Sequence, residues 1–320
     1  MSKVPTHLVE KINTIPAKSG VYKMLDSHGT IIYIGKSISL KNRVKSYFTD
    51  NPKWSKVEKM VTFIDDIEYI VTDTHLEARL LECTLIKDIK PLFNSQFKND
   101  EKYAYLKIED YNIYNPLSIV NTREENSYGP FRRKFSLKEL IDSFKNIYPI
   151  IEDNQNYSFQ YNLIPISMDK NHFEKNKKSL EEIFCDDKKM VLLINKLEEK
   201  MKEAAIELQF ATASIYRDMI YGLNYLKTGI YGYKTILSKD IVIKLPIDIG
   251  YKLFFISQGK IILKSRFPTL TEKDLNLFID EGKSLKLSIP KDFNEKPSMD
   301  YRDILYSEIK SLSQEMVIYL

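Results

Sequence analysis

The sequence predicts an α+β fold in three parts. These are a small N-terminal domain with a short antiparallel sheet flanked by helices, a helical hairpin past mid-chain, and a C-terminal strand-rich α+β segment. Three observations predict it. Two β-rich runs, Val21–Leu25 and Thr30–Ile34, flank the turn Asp26-Ser27-His28-Gly29, which is hairpin chemistry. Residues 188–226 are strongly helical in composition. Residues 232–265 alternate short β-rich runs with turn residues.

Each element follows in order. Residues 1–14 read as a short helical lead-in, and Pro16–Gly20 as a turn. Ser39 can cap a helix to about Tyr47, which Asn51-Pro52 breaks, and Lys53–Phe63 forms another. Ile67–Val71 is a third strand. Thr74–Ile89 places Leu76, Leu80, Leu81, Leu85 and Ile89 at helical spacing, with Pro91 just past its end. A strand lies near Tyr103–Ile108 and a helix near Leu137–Phe144; residues 151–175 are polar and irregular, a boundary or linker. Strands are predicted at Lys234–Leu237, Ile241–Ile243, Lys252–Ser257 and Lys260–Lys264, then helices at Thr271–Ile279 and Tyr301–Leu312. Asp300, Asp303 and Glu308 are expected on the solvated face of the last. The predicted division is 1–108, 109–187, 188–228 and 229–320.

Composition narrows the function classes. The chain has 320 residues with 43% hydrophobic and 29% charged, enough to bury a full core and too apolar for overall disorder. Two cysteines, Cys83 and Cys185, exclude a disulfide scaffold. No apolar run nears the ~18 residues of a membrane span, and residues 1–10 lack a signal-peptide core. A cytoplasmic protein, monomeric when free and without membrane association, is expected. The net charge of +4 diagnoses little, but residues 31–60 hold seven cations against two anions. That stretch also carries Tyr33, Tyr47, Phe48 and Trp54, which together suit phosphate contact with base or sugar packing. A solvated helix face is the alternative.

The hairpin brings two tyrosines together. A four-residue loop would pair Leu25 with Thr30, placing Tyr22 opposite Tyr33 and Gly20 opposite Gly35. Directly opposed side chains share one face, ~4.5–5.5 Å apart. A cross-strand aromatic pair alone would be ordinary packing. Gly35-Lys36-Ser37 then opens onto a basic helix with Arg43, and glycine there admits another backbone or a phosphate.

These residues resemble a known family. Ser19-Gly20-Val21-Tyr22 and Tyr33-Ile34-Gly35-Lys36 resemble the two signature strands of the GIY-YIG nuclease superfamily. Residues 42–48, 66–72, 76–82, 85–87 and 90–94 continue the resemblance in its UvrC branch, over about residues 15–108. The resemblance implies a DNA endonuclease with catalytic residues Tyr22, Tyr33, Arg43 and Glu77, and Mg²⁺ or Mn²⁺ on Glu77. Thr74-x-x-Glu77 is also a capping box, a complete structural explanation of that carboxylate, and Glu82 is the rival ligand. One carboxylate completed by water and phosphate oxygens suits a hard divalent ion. Arg43's planar fork matches phosphate. Tyr22 or Tyr33 would position or deprotonate water, which requires a nearby cation to lower a phenol from its ordinary value near ~10. Gly35, Lys36, Lys41, Arg43, Lys45 and Asn94 are the expected DNA contacts.

The resemblance extends further. Residues 128–133 and 146–150 look like the segment after the UvrC nuclease domain, where the family usually carries four cysteines; residues 150–184 have none, so no iron–sulfur or zinc cluster is expected. Residues 197–220 look like the UVR motif, a helical hairpin bent near Phe210, with Ala211 where an acidic residue is usual. The resemblance implies a UvrB-like helicase as partner, through Leu208, Phe210 and Arg217; packing against the chain's own C-terminal region is the alternative. Residues 240–279 look like the β segment opening the second half of UvrC, and Leu320 leaves no room for the RNase H-like nuclease domain that would follow. The expected function is one incision in damaged duplex, 3′ to a lesion, in nucleotide excision repair within an SOS-type damage response. A non-catalytic DNA- and partner-binding adaptor is the alternative, and a mobile-element endonuclease a third reading.

Overall fold

The computed structural model of the chain describes residues 4–48, 55–153, 156–286 and 295–320. Asn51-Pro52, Lys53 and Trp54 lie outside the described residues. The N-terminal part runs α1 (Thr6–Thr14), β1 (Gly20–Leu25), β2 (Ile31–Ser37), α2 (Leu40–Lys45), α3 (Ser55–Val61), β3 (Asp66–Val71) and α4 (His75–Ile89). Its antiparallel sheet has the order β2-β1-β3. Leu8 and Ile12 of α1, Met24, Ile32, Leu40, Val44 and Ile67 form one buried cluster. The α4 residues Ala78 and Ile86 close over Val21 and Ile34. Helix α4 starts where predicted: the Thr74 hydroxyl accepts the Glu77 N–H at 3.2 Å. It ends on Lys90 in the left-handed region (φ 53°), just before Pro91.

The hairpin register corrects the expectation. A bulge between Met24 and Leu25 shifts the pairing, so Tyr22 faces Gly35, Met24 faces Tyr33 and Gly20 faces Ser37. The slip is two residues, an even number, so Tyr22 and Tyr33 stay on one face as diagonal rather than direct neighbours.

Residues 101–234 form a compact unit of their own. They contain β4 (Ala104–Ile108), β5 (Leu117–Val120), β6 (Ser127–Phe131), α5 (Lys134–Phe144), β7 (Ile151–Asp153), β8 (Asn156–Ser158), α6 (Lys170–Cys185), α7 (Asp187–Ile206) and α8 (Phe210–Tyr231). The stretch 151–175, expected to be irregular, instead folds a two-stranded ribbon, β7-β8, and begins α6. Helices α7 and α8 form the predicted hairpin, turning at Leu208 with φ 60°. Leu193, Leu197, Tyr216, Met219 and Leu223 bury the hairpin's apolar seam among Leu140, Phe144 and Phe173 of the same unit.

The chain then continues as α9 (Lys234–Ser238), β9 (Ile241–Pro246), β10 (Tyr251–Ser257), β11 (Lys260–Phe267), α10 (Glu272–Lys286), α11 (Lys296–Ser311) and β12 (Val317–Tyr319). The sheet order is β11-β10-β9-β12. Lys234–Leu237 is helical rather than extended: a run this short is ambiguous by periodicity, and only Ile236 is buried. Residues 235–320 pack with residues 1–100 in one compact unit, so the predicted four-part division is not the division into compact units. Leu76 and Cys83 of α4 share a core with Ile241, Ile243, Phe254 and Ile304. Asp300 is not solvated but fully buried, 2.7 Å from the Lys87 amine. Glu308 likewise lies 2.7 Å from Arg79. Among the described residues, no helix is long and apolar enough to cross a membrane.

Candidate active site

Strand pairing starts the site. Tyr22 lies directly opposite Gly35, and a Cβ built on Gly35 would stand 2.1 Å from the Tyr22 hydroxyl oxygen. The space that Gly35 leaves is therefore occupied by the Tyr22 phenol rather than held open for phosphate. Tyr33, two residues earlier on the same strand, presents its ring 6.2 Å from that of Tyr22.

A third tyrosine completes the cluster, and its chemical role was missed in the sequence. Helix α2 is short and tightens into a 3₁₀ turn over Ser46–Phe48, which swings Tyr47 inward. The Tyr47 hydroxyl lies 2.7 Å from that of Tyr22 and donates to that of Tyr33 at 3.4 Å. Arg43, one turn earlier on α2, places its guanidinium 4.9 Å above the Tyr47 ring. The available signal was spacing: Arg43 and Tyr47 are four apart, one turn of helix.

The carboxylate at this site is Glu82, not Glu77. Five residues along a helix rotate a side chain by about 140°, so the two cannot face one cavity. Glu82 lines a cavity of about 400 Å³ together with Tyr33, Arg43, Tyr47, Asn94 and Phe97. It accepts the Lys36 backbone N–H at 3.2 Å. Glu77 points away, to Lys252 at 2.7 Å and Lys264 at 3.1 Å, and its side chain is 11% exposed. The capping box and these two lysines fully account for Glu77.

The remaining candidates separate. The Asn94 amide donates to the Ile34 carbonyl at 2.8 Å and its oxygen accepts the Ile34 N–H at 2.9 Å. β2 is a sheet edge, so Asn94 supplies the backbone partners that a further strand would give, and is a bracket rather than a free DNA contact. Lys36 stands beside Glu82, and Lys45 is exposed on α2. The Lys41 amine is held on the Asn13 carbonyl at 2.9 Å.

Electrostatics define what these groups can do. Burial, then the neighbouring Tyr47, pushes Tyr22 well above the ordinary phenol range; burial, Tyr47 and Glu82 push Tyr33 up, against Arg43. Both phenols therefore hold their protons near neutrality. Burial raises Glu82 as well, opposed by Lys36, Arg79 and Arg43. A half-buried carboxylate opening on a cavity, with oxygen lone pairs left over, fits a hard divalent cation completed by water and phosphate oxygens. Among the described residues, no three His, Cys, Asp or Glu side chains cluster as a metal cage, so a cation here would rest on Glu82 as its one protein carboxylate.

The chain is similar to known proteins. The UvrC-like GIY-YIG domain family matches residues 18–95, and the UvrB/uvrC motif family matches residues 192–225. The chain is 33% identical to the UvrABC system protein C of Alkaliphilus oremlandii, over 94% of this chain and 51% of that protein. It is 32% identical to that of Caldanaerobacter subterraneus, over 93% of this chain and 52% of that protein. It thus spans about half the length of the curated relatives it matches. A crystal structure of the N-terminal GIY-YIG endonuclease domain of UvrC from Thermotoga maritima, bound to magnesium, is 37% identical. It covers 29% of this chain and 100% of that one, with a TM-score of 0.27. With both motifs where the sequence placed them and likeness running over nearly its whole length, the chain belongs to the UvrC family.

Proposed function

We propose that the chain is a metal-dependent, structure-specific DNA endonuclease making a single incision, 3′ to a lesion, in UvrABC-type nucleotide excision repair. One observation carries the reading: Tyr33, Tyr47, Arg43 and Glu82 line one cavity of about 400 Å³, with the Tyr22 hydroxyl 2.7 Å behind that of Tyr47. Hydrolysis needs a placed water, charge neutralisation at phosphorus and stabilisation of the leaving oxygen. Arg43 grips a non-bridging phosphate oxygen, and its charge faces the cavity. The Tyr33 hydroxyl, fixed by Tyr47, orients the attacking water, and Tyr22 fixes Tyr47 in turn. Mg²⁺ or Mn²⁺ held by Glu82 would supply Lewis-acid stabilisation of the leaving 3′-oxygen. Lys36, beside Glu82, and the exposed Lys45 serve the flanking phosphates.

The test is a nicking assay on damaged duplex with Mg²⁺ or Mn²⁺. Glu82→Gln should lose at least about 10³-fold, as should Arg43→Ala, whereas Glu77→Gln should keep its rate at saturating metal. Nicking by Glu82→Gln at the unmodified rate would sink the assignment. Absence of nicking by the unmodified chain, with DNA and partner binding intact, would favour the adaptor.

A partner of UvrB-like helicase type is part of the proposal. Leu208 and Phe210 at the hairpin tip are 72% and 66% exposed, beside exposed Ile206. The tip, not the buried seam, offers the apolar contact. Arg217 is exposed but holds Asp218 at 2.8 Å, so it sits at the rim.

A further inference from the structure

Helix α4 carries Glu82 toward the cavity and is gripped by the chain's last third on another of its faces. The grip is tightest at the first turn. The Lys252 side chain, nine-tenths buried, reaches Asp73 at 2.5 Å and Glu77 at 2.7 Å, on either side of the cap residue Thr74. Lys264 adds a second contact to Glu77 at 3.1 Å. At the far end of the helix, Lys87 is drawn to the buried Asp300 at 2.7 Å. Both ends of α4 are therefore anchored by charge pairs, and those of Lys252 and Lys87 lie largely away from solvent, where screening is weak. Between them, Ala78 and Ile86 pack on the hairpin that carries the tyrosines. A helix fixed at both ends and wedged on one side can neither slide nor rotate freely, and Glu82 moves with it.

We infer that Lys252 is a positioning residue for Glu82, acting through Asp73 and Glu77 to fix where α4 presents its carboxylate to Arg43 and Tyr33. The inference rests on the reading of Glu82 as the metal-holding carboxylate. Groups that orient a metal ligand typically change metal affinity by about 10–100-fold when removed, without abolishing chemistry at saturation.

The experiment measures nicking by the full chain against Mg²⁺ concentration. Lys252→Met should raise the Mg²⁺ needed for half-maximal rate about 10-fold, with the rate at saturation and the KM for DNA nearly unchanged. Lys252→Arg should restore it, because a cation again spans the two carboxylates. Phe278→Ala, a cavity in the core on the other side of the C-terminal sheet, where no α4 residue packs, controls for general loosening. Hydrogen exchange of the α4 amides should rise in Lys252→Met and not in Lys252→Arg. An unchanged Mg²⁺ requirement in Lys252→Met, or an equal shift in Phe278→Ala, would overturn the inference. Unmodified nicking by Glu82→Gln would instead overturn the reading of Glu82 itself, whatever Lys252 does.

Discussion

At the residue scale, Gly35 is where local chemistry is most exacting. A methyl group there would meet Tyr22 at 2.1 Å from its hydroxyl oxygen and 2.3 Å from the carbon bearing it. Gly35→Ala must displace the phenol and break its 2.7 Å contact with Tyr47. The expected cost is about 1–3 kcal/mol of stability, read by denaturant unfolding, together with loss of nicking. Tyr47→Phe is gentler in shape but removes the hydroxyl that lies 2.7 Å from the buried Tyr22 phenol, leaving it Arg43. About 1–2 kcal/mol should be lost, and Tyr33 should lose the group that orients it. If Tyr47→Phe nicks at the unmodified rate, Tyr47 has no share in placing the water.

At the element scale, α4 explains how two glutamates five residues apart have different fates. Glu77 belongs to the first turn, where a carboxylate suits the helix dipole and the Thr74 cap, and where Lys252 and Lys264 arrive. Glu82 belongs to the face that looks at Tyr33 and Arg43. The clasp also sets a pH dependence. Burial alone would raise Asp73, but its hydrogen bonds to Lys252 and Arg266 prevail and hold it below the ordinary 3.8. A carboxyl lowered on folding contributes stability above its unfolded pKa and loses it as pH falls through its folded one. Asp73→Asn should therefore weaken the protein near neutrality, and its disadvantage should shrink once pH falls below 3.8 and vanish only below the lower folded pKa, seen by comparing unfolding midpoints at neutral and strongly acid pH. In the α7–α8 hairpin, one face is core and the tip is not. Leu208→Asp with Phe210→Asp should abolish co-purification with a UvrB-like helicase while thermal unfolding moves by no more than a degree or two, roughly.

At the scale of the whole molecule, residues 1–100 and 235–320 share one core although 134 residues separate them in sequence. Leu76 from α4 and Phe254 from β10 are both fully buried in it. Each alanine substitution should cost about 2–5 kcal/mol. Because both side chains line the same core, the double variant should lose measurably less than the two single losses together. Strict additivity in denaturant titrations would show that the two segments are stabilised separately.

The sequence by itself determined the local facts: the β1–β2 hairpin, the Thr74 cap, the end of α4 before Pro91, the α7–α8 turn near Phe210, and the family motifs. All depend on residues within a few positions of each other, where turn chemistry, capping and periodicity act. The tertiary structure decided the rest. The Met24–Leu25 bulge changed the tyrosine pairing, and Tyr47 entered the site only because a 3₁₀ turn tightened the end of α2. Glu77 and Glu82 are alike in sequence, each a carboxylate on one helix. The Thr74 cap and the roughly 140° between them put the two on different faces, but which face meets the tyrosines and which meets Lys252 and Lys264 was decided by what folding brings within a few ångströms of each.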